Sequence, residues 1–413
     1  GQGNDYTAAG LECIEVFIGG RACREVKMLS DSELECTAPD FIGANLSVVV
    51  IVGNQSTMLL STGRRAHALM DLPDHVEKSE KVLFSYDPPV VSHMFPDVGP
   101  TTGNITVTFK GINFGTRDWE KEIGHQSPLA ITVGGQNCLN SLWVSDSVVE
   151  CLLPPGAGTR HKVFLTVAGQ TYPPPGGEPM LFSYAGPELL SVFPAHGATD
   201  GMYDIVLTGR NFGTKFHLPN VFVDGVPCTS VKWVSDTVIK CLVPPGHGKD
   251  KSVVVWTGDQ HSRLDNDWFS YEVPEVNSIV PNTCLSRGGC KVLIKGRNFG
   301  HEQGEHISIM IGDYKCKTIG RGDQPLWLNH HTLECFVPEG VGGKLNVKVT
   351  VSGQVSLPND YFSFGLPTVN SVLPRHGTCD GGNIVNITGT NFGMTDSKPI
   401  AYIKGKKCEY TKW

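Results

Sequence analysis

The chain has 413 residues and a formal net charge of −7, with 34 Lys and Arg against 41 Asp and Glu. At about 150 residues per domain, this length predicts about three domains. A hydrophobic content of 40% with 18 Phe and 7 Trp excludes a disordered chain. The balance of charge, with no polybasic stretch, excludes the usual electrostatic basis for binding nucleic acid or an anionic membrane.

Two short motifs recur at nearly constant intervals and define a repeat of about 90 residues. Asn-Phe-Gly begins at Asn113, Asn211, Asn298 and Asn391, and Phe-Ser-Tyr/Phe begins at Phe84, Phe182, Phe269 and Phe362. These positions predict domains at residues 1–86, 87–185, 186–272, 273–365 and 366–413. The first range contains only the later part of a repeat and the last only the earlier part. We therefore expect the sequence to be a segment of a longer protein.

Apolar residues within each repeat alternate with a period of two, as in β-strands with one buried face. Val107 and Phe109 precede the first Asn-Phe-Gly in this pattern, and Pro-Pro-Gly turns separate later strands. Short strands with Gly and Pro between them predict an all-β chain of tandem immunoglobulin-like sandwiches. Only two residues separate Tyr184 from Pro187 and Tyr271 from Pro274, so the sandwiches are expected to form a rod.

The cysteines occupy matching positions in successive repeats, and this register predicts disulfides. The pairs Cys23–Cys36, Cys138–Cys151 and Cys228–Cys241 are each 13 residues apart, and Cys316–Cys335 is 19 apart. A bond that closes the same loop in each repeat explains this register, whereas a zinc site would need paired Cys-x2–4-Cys knuckles. A local bond, Cys284–Cys290, is also expected. The sequence leaves the partners of Cys13, Cys379 and Cys408 open.

Several motifs together resemble one known family. They are apolar-x-Pro at the start of the repeat, Asn-Phe-Gly, Ser-Asp-x4-Cys from Ser145 to Cys151, Pro-Pro-Gly-x-Gly, Gly-Gln and the closing Phe-Ser-Tyr. Each repeat resembles an IPT/TIG domain, an early-set immunoglobulin fold. The resemblance implies an extracellular interaction or spacer module without catalysis or a cofactor. Departures are the pair His330-His331 in place of Ser-Asp and two longer segments, residues 55–84 and 319–325.

Candidate functional residues outside the repeated motifs are few. Sequons predict glycosylation at Asn45, Asn54, Asn104 and Asn386, and strand parity places Asn104 and Asn386 on the outer face. Possible partner contacts are Arg321-Gly322-Asp323 and Arg64-Arg65, which lie in the two longer segments, although each also fits a plain exposed loop. No nucleophile elbow, P-loop, HExxH or acidic calcium motif is present, so neither an enzyme nor a metal site is predicted. We expect His330-His331 to form a solvated turn and the recurrent Trp143, Trp233 and Trp327 to pack in the cores.

The leading functional hypothesis is a non-catalytic recognition, adhesion or stalk segment of a large cell-surface or secreted glycoprotein. Its partners would be proteins, including copies of itself, bound through sandwich faces or the longer loops. The alternative is a structural subunit of an extracellular filament or ciliary-surface appendage, since Cys379 leaves room for an interchain bond. A DNA-binding factor would need a basic face and reduced thiols. The net charge of −7 and the in-register cysteine pairs argue against this third hypothesis. Attachment to a membrane would require a segment outside this sequence, since no apolar run approaches about 18 residues.

Overall fold

The computed structural model describes residues 14–52, 55–57, 82–116, 129–264, 267–302, 306–317, 325–394 and 397–412. Within these ranges every regular element is a β-strand. The chain divides into two units, Gly1–Ala185 and Gly186–Trp413. The first unit contains the first and second repeats, and the second unit contains the third, fourth and fifth.

The first repeat has a five-stranded sheet and a separate hairpin. Its strands are Ile14–Ile18, Arg21–Ala22, Arg24–Ser30, Glu33–Thr37, Leu46–Val52, Gln55–Ser56 and Leu83–Phe84. Ile14–Ile18 pairs antiparallel with Leu46–Val52 in the sheet, and Arg24–Ser30 pairs with Glu33–Thr37 in the hairpin.

The second repeat is a two-sheet sandwich. One sheet has the order Asn140–Ser145, Val148–Leu152, Thr106–Ile112, Val90–Phe95. The other has the order Gln136–Asn137, Leu129–Val133, His161–Val167, Leu181–Tyr184, Val98–Gly99, with Gln170–Tyr172 also beside His161–Val167. The pairing of Val98–Gly99 with the last strand is parallel, so the opening segment crosses from one sheet to the other.

The third and fourth repeats keep this arrangement. The third has Glu188–Phe193, His196–Gly197, Asp204–Arg210, Asn220–Val223, Val226–Pro227, Ser230–Ser235, Val238–Leu242, Val253–Thr257, Gln260–His261 and Ser270–Tyr271. The fourth has Glu275–Val280, Thr283–Cys284, Lys291–Arg297, Ile307–Ile311, Tyr314–Lys315, Leu326–Asn329, Thr332–Phe336, Val347–Val351, Gln354–Val355 and Ser363–Phe364. The described part of the fifth has Thr368–Leu373, Asn386–Thr390, Tyr402–Ile403 and Lys406–Lys407.

The period-two pattern places each core between two sheets, as predicted. Val107 and Phe109 are fully buried and lie opposite Cys151 and Val149 on the neighbouring strand. Branched and aromatic side chains alternate inward on both sheets, which is the packing expected of an antiparallel sandwich. Separate buried clusters of this kind occupy the second, third and fourth repeats. Trp143 and Trp327 pack, partly buried, against two of these cores.

Four disulfides are formed among the described cysteines: Cys138–Cys151, Cys228–Cys241, Cys284–Cys290 and Cys316–Cys335. The predicted Cys23–Cys36 bond is not formed, and the two thiols are joined by a hydrogen bond instead. The hairpin that carries this pair has a register shift directly after Arg24, whereas the hairpin after Cys138 stays regular as far as Trp143. Burial, then the contact with Cys36, raises the pKa of the Cys23 thiol to about 12.

Candidate functional site: the joints between repeats

The Asn of each Asn-Phe-Gly motif binds the linker at the start of its own repeat. In all four cases the side-chain N–H donates to a linker carbonyl 25 residues earlier. The pairs are Asn113 with Pro88 at 3.1 Å, Asn211 with Gly186 at 3.2 Å, Asn298 with Val273 at 3.1 Å and Asn391 with Leu366 at 3.1 Å. The motif therefore fixes the linker as well as forming a turn.

Local structure explains why this position is Asn. All four Asn residues have a φ of 59° to 63°, in the left-handed region that Asn tolerates better than most residues. The following Phe is fully buried at Phe114, Phe212 and Phe299, which anchors the turn in the core. The Asp of the Ser-Asp motif holds the same turn from the adjacent hairpin, since Asp146 Oδ1 accepts from the Gly115 amide at 3.0 Å.

A second side-chain amide binds the linker from the opposite sheet. The Gln of the Gly-Gln turn donates to the carbonyl of the tyrosine that closes the preceding repeat: Gln170 to Tyr86 at 2.8 Å and Gln354 to Tyr271 at 2.9 Å. Two amides from one repeat thus bind the carbonyls at both ends of a linker. Each bond gives a backbone carbonyl of the linker or its boundary a side-chain donor.

In the second unit the same Asn also reaches back into the preceding repeat. Asn298 Oδ1 accepts a hydrogen bond from the Thr199 amide at 3.3 Å, and Asn391 Oδ1 accepts one from the Ser286 amide at 3.2 Å. Thr199, Ser286 and Asn298 are all buried. One asparagine side chain thus binds both the linker and the preceding repeat. Because the asparagine belongs to the following repeat, these bonds fix the linker and the preceding repeat relative to the following one.

The variable residue of Pro-Pro-Gly-x-Gly packs into the joint, and we call it the joint residue. Ile42 occupies the corresponding position in the first repeat and belongs to the buried core of the second repeat. Val341 has the same role between the fourth and fifth repeats, where its Cγ1 would lie 3.3 Å from a Cβ placed on Gly393. His247 is the joint residue between the third and fourth repeats, and its Cβ would lie 3.9 Å from a Cβ on Gly300.

The closing tyrosine ties the last strand to the turn that carries the joint residue. Tyr184 donates to the Pro154 carbonyl at 2.9 Å and Tyr271 donates to the Pro244 carbonyl at 2.8 Å. Burial raises the pKa of Tyr184 to about 12 and also raises that of Tyr271. The glycine of Pro-Pro-Gly leaves room for this ring, because a Cβ on Gly156 would lie 2.3 Å from Tyr184 Cζ.

The predicted glycosylation sites divide into three on the described surface and one outside it. Asn45, Asn104 and Asn386 are exposed, and Asn54 lies outside the described residues. Asn45 and Asn104 have φ values of 57° and 61°, so both lie in turns, whereas Asn386 begins a strand. All three present their side-chain amides to solvent.

The predicted partner-contact residues Arg64, Arg65, Arg321, Gly322 and Asp323 all lie outside the described residues. The His330-His331 turn connects Leu326–Asn329 with Thr332–Phe336, as expected of a turn. The expected full solvation of this turn is wrong for His330, which is partly buried, and burial lowers its pKa.

Within the described ranges no group of three or more His, Cys, Asp or Glu side chains could hold a metal ion. No helix there is long and apolar enough to cross a membrane. An open groove of about 640 Å³ lies beside the joint of the third and fourth repeats. Its lining includes the ion pair of Arg297 with Glu275, in which the Nε–Oε2 distance is 2.8 Å.

In the sequence, Asn-Phe-Gly and Gly-Gln served only as repeat and family motifs, and their role in the joints was not predicted. A signal was present in the spacing. Each Asn lies 25 residues after a linker position, and Gln170 and Gln354 lie 84 and 83 residues after the closing tyrosine. A constant separation between a polar side chain and a linker indicates a contact between them.

Comparison with known proteins gives one family. The description "IPT/TIG domain" matches residues 89–178, 187–271, 274–364 and 367–413. Fibrocystin-L of Homo sapiens is 25% identical over 366 residues, which cover 87% of this chain and 8% of that protein. Plexin-2 of Caenorhabditis briggsae is 27% identical over 226 residues, which cover 54% of this chain and 12% of that protein. The chain thus spans about a tenth of the length of these relatives.

Among solved structures, the full extracellular region of plexin A4 is 14% identical, with a TM-score of 0.24. That match covers 98% of this chain and 41% of the plexin A4 chain.

Proposed function

Because this chain belongs to the IPT/TIG domain family, we propose that it is a non-catalytic extracellular segment that holds successive repeats in fixed relation and presents their surfaces to protein partners. The observation that carries the proposal is the set of hydrogen bonds made by Asn298. Its side chain binds the Val273 carbonyl of the linker and the Thr199 amide of the preceding repeat. A flexible tether would need neither bond.

The cysteine chemistry supports an extracellular location. Four disulfides are formed within single repeats, and such bonds persist in oxidising compartments. Exposed sequons at Asn45, Asn104 and Asn386 are compatible with passage through the secretory pathway. The family match and the resemblance to fibrocystin-L and plexin-2 support the same class of protein.

Partner specificity would come from features that differ between repeats, since the shared motifs serve the cores and joints. The longer segments at 55–84 and 319–325 differ most, and most of both lies outside the described residues. Adhesion and recognition are the activities that such segments would serve. Partners would include other proteins and further copies of this chain.

Secretion of the chain from cultured animal cells tests the proposal. We expect a soluble product with the four disulfides intact and with glycan on Asn104, mapped by peptide mass spectrometry without reductant. A matched N104Q variant identifies the glycan-dependent mass. A product that is retained inside the cell, with Cys138, Cys151, Cys228 and Cys241 reduced, would contradict the extracellular assignment.

A further inference from the structure

Three histidines meet at the joint between the third and fourth repeats. His247, the joint residue, comes from the third repeat, and His301 and His306 come from the fourth. The Nδ1 atoms of His247 and His301 are 3.0 Å apart. The ring of His247 stacks on His306 with centroids 4.0 Å apart and planes within 7°. Its stack on His301 has a centroid distance of 4.9 Å and an angle of 22°.

This geometry suits neutral imidazoles and not a metal ion. A ligating nitrogen directs its lone pair in the plane of its own ring, so two parallel rings 4.0 Å apart cannot both point at one ion. At 3.0 Å the two Nδ1 atoms form a hydrogen bond that contains a single hydrogen. One ring must therefore present a bare Nδ1 to the other.

A single added proton can be held on His301, whose Nε2 lies 3.6 Å from Glu302 Oε1, but a second positive charge has no favourable place in this arrangement. If His247 and His301 were both cations, each would carry an Nδ1 proton, and two N–H donors would face each other at 3.0 Å. The Nε2 of His306 is buried without a hydrogen-bond partner among the described residues, so a positive charge on this ring would be buried there without a compensating contact. The closed joint therefore binds fewer protons than three separated imidazoles would.

The surrounding charges do not change this preference. His247 is faced by His301, His306 and Lys251, which oppose a positive charge, and by Glu302, which favours one. Lys251 itself contacts Asp224 at 2.7 Å. Burial is the largest influence, and it lowers the pKa of His247 from 6.5 to about 4.

The other histidines of the region respond in the same direction. Burial lowers the pKa of His306, which faces Glu302 and His301. Burial also lowers the pKa of His330, which faces Asp200, His331 and His301. Several imidazoles on both sides of this joint are therefore disfavoured as cations in the closed state.

The joint between the fourth and fifth repeats provides an internal comparison. It has the same Asn bond to the preceding repeat, from Ser286 to Asn391. At the positions of His247 and His301 it has Val341 and Met394, which carry no titratable group. The two joints share a scaffold and differ in the chemistry of the residues packed between the repeats.

We infer that the histidine cluster of His247, His301 and His306 makes the joint between the third and fourth repeats a pH-dependent coupling, closed at neutral pH and opened by protonation in mildly acidic surroundings. This inference rests on the proposed function, because it regulates the joint that holds the repeats together. The joint of the fourth and fifth repeats remains closed over the same range.

The direction of the effect follows from the lowered pKa values. A histidine that is harder to protonate in the closed joint than in the open joint stabilises the closed joint fully above its ordinary pKa of 6.5. That stabilisation is lost progressively as the pH falls from 6.5 towards about 4. At about pH 5 the open joint gains about tenfold in population relative to neutral pH, after allowance for the partial exposure of the rings.

Amide hydrogen exchange on the whole 413-residue chain tests the inference. Exchange is measured by mass spectrometry at pH 7.5 and pH 5.0 and corrected for the intrinsic pH dependence of the amide. The Thr199 amide reports on the histidine joint, and the Ser286 amide reports on the joint that lacks histidines. We expect corrected exchange at Thr199 to be about tenfold faster at pH 5.0, with no change at Ser286.

A double variant, H247V with H301M, copies the other joint and is expected to lose the pH response at Thr199. H261Q is the matched control, because the ring of His261 packs at a tilt against Trp256, is not part of the cluster, and should leave the response intact when replaced. If the double variant does not fold, the contrast between Thr199 and Ser286 in the unaltered chain still decides the matter.

Three results would overturn the inference. Equal protection of Thr199 at both pH values would do so while leaving the proposed function in place. An unprotected Thr199 amide at both pH values would show that the joint is not formed, and it would contradict the proposed function as well. Slower exchange at Thr199 on addition of zinc chloride alone at pH 7.5 would show a metal site in place of a proton-sensitive one.

Discussion

Asn298 Oδ1 accepts a hydrogen bond from the Thr199 amide at 3.3 Å, although 99 residues separate the two in the chain. Both residues are buried, and the Asn298 side-chain N–H binds the Val273 carbonyl of the linker at the same time. The contact therefore joins two repeats through a side chain whose own turn is held in the core by Phe299. The bond between Asn391 and Ser286 repeats this relationship one joint further on.

The glutamine of the joint is expected to contribute measurably to local stability. Replacing Gln354 by Ala leaves the Tyr271 carbonyl without its side-chain donor and should cost about 1 kcal/mol. Urea titration followed by amide exchange reports on each repeat separately. It measures the decrease in the free energy of unfolding around Tyr271. Gln136→Ala, at an exposed hairpin position, is the control and should be neutral. Equal effects of the two substitutions would contradict a role for Gln354 in the joint.

The closing tyrosine is expected to stabilise the second repeat. Tyr184→Phe removes the donor to the buried Pro154 carbonyl and should destabilise this repeat by about 1–3 kcal/mol. Tyr402→Phe, at an exposed position, should have no effect. A drop in the urea midpoint of the second repeat checks the prediction, and an unchanged midpoint for Tyr184→Phe would contradict it.

Alkaline conditions should weaken the same contact. The pKa of Tyr184 is raised by burial from 10.0 to about 12, so the neutral hydroxyl is favoured in the folded state. The stabilisation is complete below pH 10 and is lost as the pH rises from 10 towards 12. Ultraviolet titration of tyrosinate absorbance in unaltered chain and Tyr184→Phe variant measures this ionisation. The difference between the two titration curves belongs to Tyr184. If that difference appears near pH 10, the result is inconsistent with a buried hydroxyl.

Thiol reactivity should separate the unbonded cysteines. Cys379 is exposed, whereas the pKa of Cys23 is raised to about 12, which leaves little of the nucleophilic thiolate at neutral pH. Iodoacetamide at pH 7.5 without reductant should therefore label Cys379 well before Cys23. Peptide mass spectrometry gives the two rates. Faster labelling of Cys23 would show that the environment of this thiol is different from the one described.

Much of the fold follows directly from local sequence patterns. Alternating apolar residues such as Val107 and Phe109 determine which strand face is buried, and turn residues mark where strands end. Two of the bonded pairs follow from register, because Cys138–Cys151 and Cys228–Cys241 have the same separation of 13 residues in successive repeats. Cys23 and Cys36 share that spacing and are nevertheless thiols, so equal spacing alone does not determine that a bond forms.

The joints were less accessible from the sequence because they depend on contacts between residues far apart in the chain. Asn298 fits a turn by its backbone preference alone, and nothing local indicates that its oxygen binds Thr199. His247 occupies a variable position in a turn, so its packing against His306 emerges only when two repeats are placed together. Local sequence patterns predict strands and turns well, but they predict tertiary contacts between distant elements poorly.

Amide exchange at Thr199 in the unaltered chain and in an Asn298→Gly variant measures directly whether this asparagine joins the third and fourth repeats. Glycine keeps the left-handed backbone that Asn298 adopts and removes only the side-chain bonds. The account predicts that Thr199 is protected in the unaltered chain, that it loses about tenfold or more of this protection in the variant, and that Ser286 is unaffected in both. Exchange at Thr199 that is equally protected with and without the Asn298 side chain would contradict the claim that this asparagine holds the two repeats together.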